Sequence, residues 1–474
     1  MSFATDARLL IAGAWTDGAE RRPVLDKFKL APCGVLHVPS RSQVHEAVVA
    51  AHAAFEASVL TPHDRGRILE RTAQLLALRR DELVRSLQAE AGFTAADAGG
   101  ELARCLETFR LSAEEARRFG GDMVPLEGAP QQAGRLGFTL RVPLGVVCAI
   151  TPFNAPLNTV AHKVAPALAA GNAVVLKPSA HTPTAANIMA ATLIEAGLPP
   201  GLITVLHGDA EVAQALLDEP LVRFYAFTGS TEAGRDIQRR AGLRRTQMEL
   251  GSIAFTILCD DADLGRALPR VMNASYRKAG QVCTSIQVLL VHQSLRARVE
   301  DKLAALVREL PFGDPSLTDT VVGPVISEAA ARRIESWIAE AVAGGARLLA
   351  GGERRGAVIP PTLLADVPAD ARVSCQEVFG PVVSIVPFAT LDEAIHRVNA
   401  TPYGLATGVF TNRLDDAFRA ARQLQVGGVH VNETSSSRVD LMPYGGSKDS
   451  GFGREGPHHA IREMSEERMV TISA

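Results

Sequence analysis

Between residues 146 and 241, short apolar runs alternate with helical patterns in an order that few architectures accommodate. The runs 146–150, 173–176, 202–206 and 224–227 lack the apolar–polar alternation of a half-exposed strand, so each must be covered on both faces. The segments between them, 157–170, 184–196, 211–217 and 230–241, carry helical spacing, and Gly171 and Gly197 stop the first two. Strand–helix alternation of this kind predicts an α/β fold with a parallel sheet wound by right-handed crossovers. Ligands of such sheets bind beyond the carboxyl ends of the strands. Four turns lie there: Thr151-Pro152-Phe153-Asn154, Lys177-Pro178-Ser179, His207-Gly208 and Thr228-Gly229-Ser230.

The flanking chain is consistent with further layers. Residues 8–17 read as a short strand and turn. Val44, Ala47, Val48, Ala51, Ala54 and Phe55 mark a helix from Ser40. Two more helices are expected over 65–87 and 101–118, separated by Gly92 and Gly99-Gly100. Alternating apolar positions among glycines and prolines predict a β-hairpin arm over 119–145. A second α/β unit begins near Glu249, with a helical segment before Cys283 and a strand over 288–291. Helices at 294–309 and 327–344 and strands near 382–388, 406–411 and 428–431 follow. A glycine-rich tail from Leu441 ends in a short helix and the alternating run Met469-Val470-Thr471-Ile472.

Apolar residues make up 47% of the chain and charged residues 21%, with a net charge of −3, so neither nucleic acid nor an anionic membrane is called for as a partner. No apolar run reaches the roughly 18–20 residues of a membrane span. The N-terminus lacks the pattern of a signal peptide. Six scattered cysteines without a C-x-x-C pair predict free thiols in a reducing cytoplasm, neither a disulfide framework nor a metal site. Cys105, Cys148 and Cys259 lie in apolar patterns and read as small buried hydrophobes. Cys283 differs. It sits in Ala279-Gly280-Gln281-Val282-Cys283-Thr284-Ser285, a polar turn at a helix-to-strand junction, where backbone amides can stabilise a thiolate or an oxyanion.

Thr228-Gly229-Ser230-Thr231-Glu232-Ala233-Gly234 follows a strand and opens a helix, the geometry of a pyrophosphate site or of a merely glycine-trimmed turn. Lys177 offers a cation to ribose or phosphate, or is a solvated strand-end lysine. Glu249 sets a carboxylate beside a flexible turn, Leu250-Gly251, which by itself is common. Glu377-Val378-Phe379-Gly380-Pro381 and Pro443-Tyr444-Gly445-Gly446-Ser447-Lys448-Asp449-Ser450-Gly451 add polar turns.

Taken in order, the turns at Asn154, Lys177, Gly229, Glu249, Cys283, Glu377 and Tyr444 resemble the aldehyde dehydrogenase superfamily from about residue 8 to the end. The resemblance implies a Rossmann-like cofactor domain (1–118 and 146–248) and a second α/β catalytic domain (249–440). It also implies a small β oligomerisation arm with a C-terminal segment (119–145 and 441–474). Cys283 is then the nucleophile, giving a thiohemiacetal and, after hydride passes to the nicotinamide, a thioester. Asn154 and the Cys283 N–H form the oxyanion hole, and Glu249 activates water for hydrolysis. Thr151, Pro152, Phe153, Ser179 and Gly208 line the cofactor, Lys177 and Glu377 clamp its riboses, Phe379 packs on the nicotinamide, and Gly229 and Ser230 hold the pyrophosphate. The cofactor is NAD or NADP. NAD-selective members often carry Glu where Ala180 stands, and without a carboxylate to repel the 2′-phosphate, NADP is expected to be tolerated. Ala155 replaces a residue that is often larger, either widening the substrate funnel or marking neutral drift.

The closest-looking branch handles lactaldehyde, phosphonoacetaldehyde, succinate semialdehyde and similar small aldehydes. Arg104, Arg277 with Lys278, and Arg438 are candidates to meet an anionic tail. Alternatively, Arg438 pairs with Asp440 and Arg104 belongs to a solvated or salt-bridged helix face. Two other functions compete: a CoA-acylating dehydrogenase, against which Glu249 speaks, and an inactive binding or structural relative. The arm and the strand-like C-terminus imply a homodimer or homotetramer.

Overall fold

The computed structural model describes residues 5–473. The first sheet has eight strands, in the order Gly451–Phe452, Arg245–Glu249, Val222–Thr228, Val146–Ile150, Ala173–Lys177, Ile203–Val205, Leu9–Ile11 and Ala14–Thr16. The five from Arg245–Glu249 to Ile203–Val205 run parallel. The three at the edges are antiparallel additions. Val146–Ile150 and Ala173–Lys177 are buried throughout, as the continuous apolar runs require. The register aligns their ends: Ile150 faces Lys177 and Phe227, and Thr228 faces Glu249. Four of the predicted site turns therefore leave the sheet along a common edge.

A second sheet of seven strands, Arg347–Ala350, Thr362–Ala365, Val382–Phe388, Ile286–His292, Ala254–Leu258, Ala406–Phe410 and Gly428–Val431, is parallel except for its first member. The arm pairs Arg135–Pro143 with Ser465–Ser473 over nine positions, from Pro143 opposite Ser465 to Arg135 opposite Ser473. Met123–Val124 lies on its other side. Among the described residues no helix is long and apolar enough to cross a membrane.

Several elements differ from the pattern-based expectation. The helix expected over 65–87 is two, Pro62–Leu78 and Arg80–Ala91, broken at Arg79, because both pieces bury leucines and the period survives the kink. The helix expected from Glu101 begins at Ala95: the Thr94 hydroxyl accepts the Asp97 N–H and caps it. Gly99 and Gly100 are thus interior, and the buried face of Ala98, Glu101, Leu102 and Cys105 carries the helix across them. Residues 441–474 divide. Gly451–Phe452 closes the edge of the first sheet beside Met248 and Glu249, and the helix Pro457–Glu463 packs against the helix Asn158–Ala170. Only Ser465–Ser473 joins the arm.

Candidate active site

Between the helix Leu264–Tyr276 and the strand Ile286–His292, the chain winds left-handed through Lys278, Ala279 and Gly280, with φ of 52°, 54° and 68°. Two non-glycine residues there carry backbone strain that the surroundings must hold. A Cβ on Gly280 would stand 2.2 Å from the Gly380 carbonyl oxygen, so only glycine fits. Lys278 anchors the turn. Its ammonium pairs with Glu101 at 2.6 Å, donates to the Asn154 carbonyl at 3.0 Å and lies 4.5 Å from the Phe93 ring centre. Glu101 also accepts the Asn158 N–H at 2.8 Å, so one buried carboxylate joins the loop after Asn154 to the turn before Cys283. Gln281 accepts the Ile326 N–H at 2.8 Å and completes the clamp.

Cys283 emerges from this turn, half-buried, with its sulfur 2.9 Å from the Tyr444 hydroxyl. Glu249 ends the strand Arg245–Glu249, buried against the thiol, and its Oε1 has no hydrogen-bond partner. Burial, then the charge of Glu455, lifts the Glu249 carboxyl to about 7. Burial and the neighbouring Glu249 charge push the Cys283 thiol well above the usual cysteine range, while Tyr444 and Arg438 oppose that rise. The pair thus combines a thiol held protonated at rest with a carboxyl poised to exchange protons near neutrality. Asn154 is buried at the rim, its backbone tied by Lys278 to the cysteine turn.

The cofactor candidates line the common edge of the first sheet. The Thr151 N–H bonds the Lys177 carbonyl at 3.1 Å, and the Thr151 hydroxyl is buried without a partner. Lys177 is buried; burial lowers its ammonium to about 8, and among the described residues the ammonium's only hydrogen bond is a 3.4 Å contact to the Pro178 carbonyl. Pro152 and Phe153 are half-buried, and the Phe153 ring meets the Phe379 ring edge-on at 5.7 Å. Phe379 itself has φ of 51°. Ser179 accepts the His181 N–H at 3.2 Å, and Gly208 is buried beyond the strand Ile203–Val205. A Cβ on Gly229 would lie 2.5 Å from the Phe227 ring, leaving the backbone bare beside Ser230, which caps the helix Thr231–Ala241. Glu377 accepts the Ser252 N–H at 2.9 Å, and burial raises its carboxyl to about 7. An orphaned hydroxyl, a buried ammonium without a carboxylate and a capped helix N-terminus fit a dinucleotide.

The three arginines part company. Arg104 pairs with Asp440 through two nitrogens, at 2.6 and 3.2 Å, so it and not Arg438 holds that carboxylate. Arg438 is turned to Glu455 at 2.8 Å and lies 3.7 Å from the Tyr444 ring centre. Glu455 in turn takes the fully buried Lys163 at 2.7 Å. Arg277 donates to the Ser436 hydroxyl at 3.2 Å and, among the described residues, has no carboxylate at salt-bridge distance. Convergence of all three arginines on a ligand is therefore reduced to Arg277. Tyr444, Glu455, Lys163 and Glu101 were not singled out by pattern; the only signal for Tyr444 was its place in a glycine-rich turn.

An aldehyde dehydrogenase family model matches residues 15–470. The chain is 44% identical over 466 residues to a 3-sulfolactaldehyde dehydrogenase of Priestia aryabhattai, covering 98% of each. It is 35% identical over 472 residues to the succinate-semialdehyde dehydrogenase [NADP(+)] GabD of Escherichia coli K12, covering 98% of this chain and 97% of the other. Its fold superposes with a TM-score of 0.96 on aldehyde dehydrogenase 21 from Physcomitrella patens in complex with the product succinate, at 37% identity and 99% and 98% coverage. The chain belongs to the aldehyde dehydrogenase family and oxidises an aldehyde to its carboxylic acid with a nicotinamide cofactor.

Proposed function

We propose that the substrate is a small aldehyde with an anionic tail, oxidised on Cys283 and released by hydrolysis. The carrying observation is Arg277, half-buried six positions before Cys283 and, among the described residues, without a carboxylate at salt-bridge distance, unlike Arg104 and Arg438. Burial and the charge of Arg104 lower its guanidinium, and so favour an incoming anion. Sulfolactaldehyde and succinate semialdehyde, named for two relatives, both carry such a tail. Cys283 attacks the carbonyl carbon, and its proton passes to Glu249. Asn154 and the Cys283 N–H receive the developing oxyanion. The cofactor, when bound, accepts the hydride. Glu249, once it has released the thiol proton to solvent, activates water against the thioester, which favours hydrolysis over transfer to CoA.

Matched anionic and neutral aldehydes assayed with Arg277→Ala test the substrate class. The expected result is a loss of kcat/KM of about ten- to hundredfold on the anionic set alone, the size of one charge-assisted pair. An equal loss on both sets would mark Arg277 as structural, and Arg104→Ala, whose partner is Asp440, is expected to lower both sets alike.

For the cofactor, Lys177 and Glu377 are the ribose clamps, Gly229 and Ser230 the pyrophosphate turn, and Ala180 leaves room for a 2′-phosphate. The wild-type enzyme is expected to turn over with NADP as well as NAD. Ala180→Glu is expected to cost NADP roughly tenfold or more relative to NAD through like-charge repulsion. A wild-type preference for NAD beyond about a hundredfold, or about 2.7 kcal/mol, rejects this. We further propose the homodimer or homotetramer, built on the arm of Arg135–Pro143 and Ser465–Ser473. Sedimentation of the native protein tests it.

A further inference from the structure

The turn that carries Tyr444 does more than close the site. We propose that the Tyr444 hydroxyl is a catalytic group: it donates a hydrogen bond to the Cys283 sulfur and stabilises the thiolate that attacks the aldehyde.

The oxygen stands 2.9 Å from the sulfur, short for a contact in which sulfur is one partner. The Tyr444 residue is 5% exposed, so the hydroxyl is largely shielded from solvent. Arg438 lies against the face of that ring, 3.7 Å from its centre. A cation on the π-face draws electron density from the phenol and makes its O–H a stronger donor. Arg438 is kept there by Glu455, which the fully buried Lys163 holds from the other side. The ring and its cation are therefore fixed before substrate arrives, as preorganised stabilisation requires.

Every charged group facing the sulfur fits this assignment. Glu249, from the strand Arg245–Glu249, takes the thiol proton and would then repel the new anion once ionised again. Arg438 and the more distant Arg277 oppose that repulsion by charge, and Tyr444 opposes it by direct contact with the sulfur. As the S–C bond forms, the sulfur loses its negative charge and the hydrogen bond weakens, so Tyr444 acts on the nucleophile and not on the product. Its burial raises the phenol well above the usual tyrosine range, which keeps the donor proton in place at working pH.

This assignment rests on Cys283 as the nucleophile, and the experiment separates the two. Tyr444→Phe removes the hydroxyl and keeps the ring. Iodoacetamide alkylates the Cys283 thiolate with loss of iodide, and the modified Cys283 peptide is quantified by mass spectrometry across pH, with no need for turnover. The midpoint of alkylation is expected to rise by about one pH unit in Tyr444→Phe, a tenfold smaller thiolate population at fixed pH below it. The rate of the first hydride transfer is expected to fall less than the thiolate population, because a less stabilised thiolate is also the stronger nucleophile. An alkylation midpoint within a few tenths of the wild type overturns the proposal. Full activity in Cys283→Ala would instead overturn the nucleophile on which it rests.

Discussion

Cys283→Ala is expected to abolish aldehyde oxidation, by on the order of ten-thousand-fold or more, while the protein still binds NAD(P). Losses of that size are found when a residue of a catalytic unit that forms the covalent bond is removed. The surrounding geometry explains why no other thiol can substitute. Cys105, Cys148 and Cys259 are buried in the core, where desolvation raises each thiol. Only Cys283 stands on a strained turn clamped by Lys278, Glu101 and Gln281, with Glu249 and Tyr444 against its sulfur. Cofactor binding, read by fluorescence of the reduced form, is expected to stay within a few-fold of wild type, because the groove of Lys177, Gly229 and Phe379 is built from other elements. Residual turnover above about one per cent would reject Cys283 as the nucleophile.

Glu249→Gln is expected to divide the reaction in two. Hydride transfer needs only the thiohemiacetal; release needs activated water. Rapid mixing should therefore give a burst of reduced cofactor close to one equivalent per site, formed more slowly than in the wild type because Gln cannot take the Cys283 proton. Steady turnover should follow about a hundredfold to ten-thousand-fold slower, the range for loss of a general base. The pH dependence carries the sign. Glu249 works as a base only when ionised, and its carboxyl is lifted to about 7 by burial and by Glu455. Wild-type steady-state rates should therefore fall as pH drops through about 7 and level off above it. That limb should vanish in Glu249→Gln. A variant that keeps the acidic limb, or that turns over at the wild-type rate, would move the base to another residue.

Much of the fold was legible because it rests on local regularities. The apolar runs at 146–150 and 173–176 could only be strands buried on both faces, and both lie in the parallel core of the first sheet. The glycine-flanked turns after them were legible as site turns because ligands of such sheets gather at the strands' carboxyl ends. Less legible was the strand Arg245–Glu249, whose Arg-Thr-Gln-Met-Glu pattern carries no apolar run, although its last three residues are buried. The Gln247 side-chain amide finds its partners far along the chain: it donates to the Arg454 carbonyl and to Glu463. Such partners leave no periodic trace.

The charged groups divide on the same principle. From its neighbours in the chain alone, Cys283 could be read as a reactive thiol, since the residue types of its turn and the glycine at Gly280 are local requirements. Which arginine meets a ligand was decided only by tertiary structure. Arg104 and Arg438 differ little from Arg277 in sequence, yet one is captured by Asp440, one by Glu455, and Arg277 by neither. An ion pair forms between groups that the fold brings within a few ångströms, and its energy depends on burial at that point. Both are properties of the folded chain. The strand–helix alternation and the chemistry of the Cys283 turn were determined by the sequence itself; the partners that hold, charge and orient Cys283 came only from packing two sheets and a returning C-terminal segment around it.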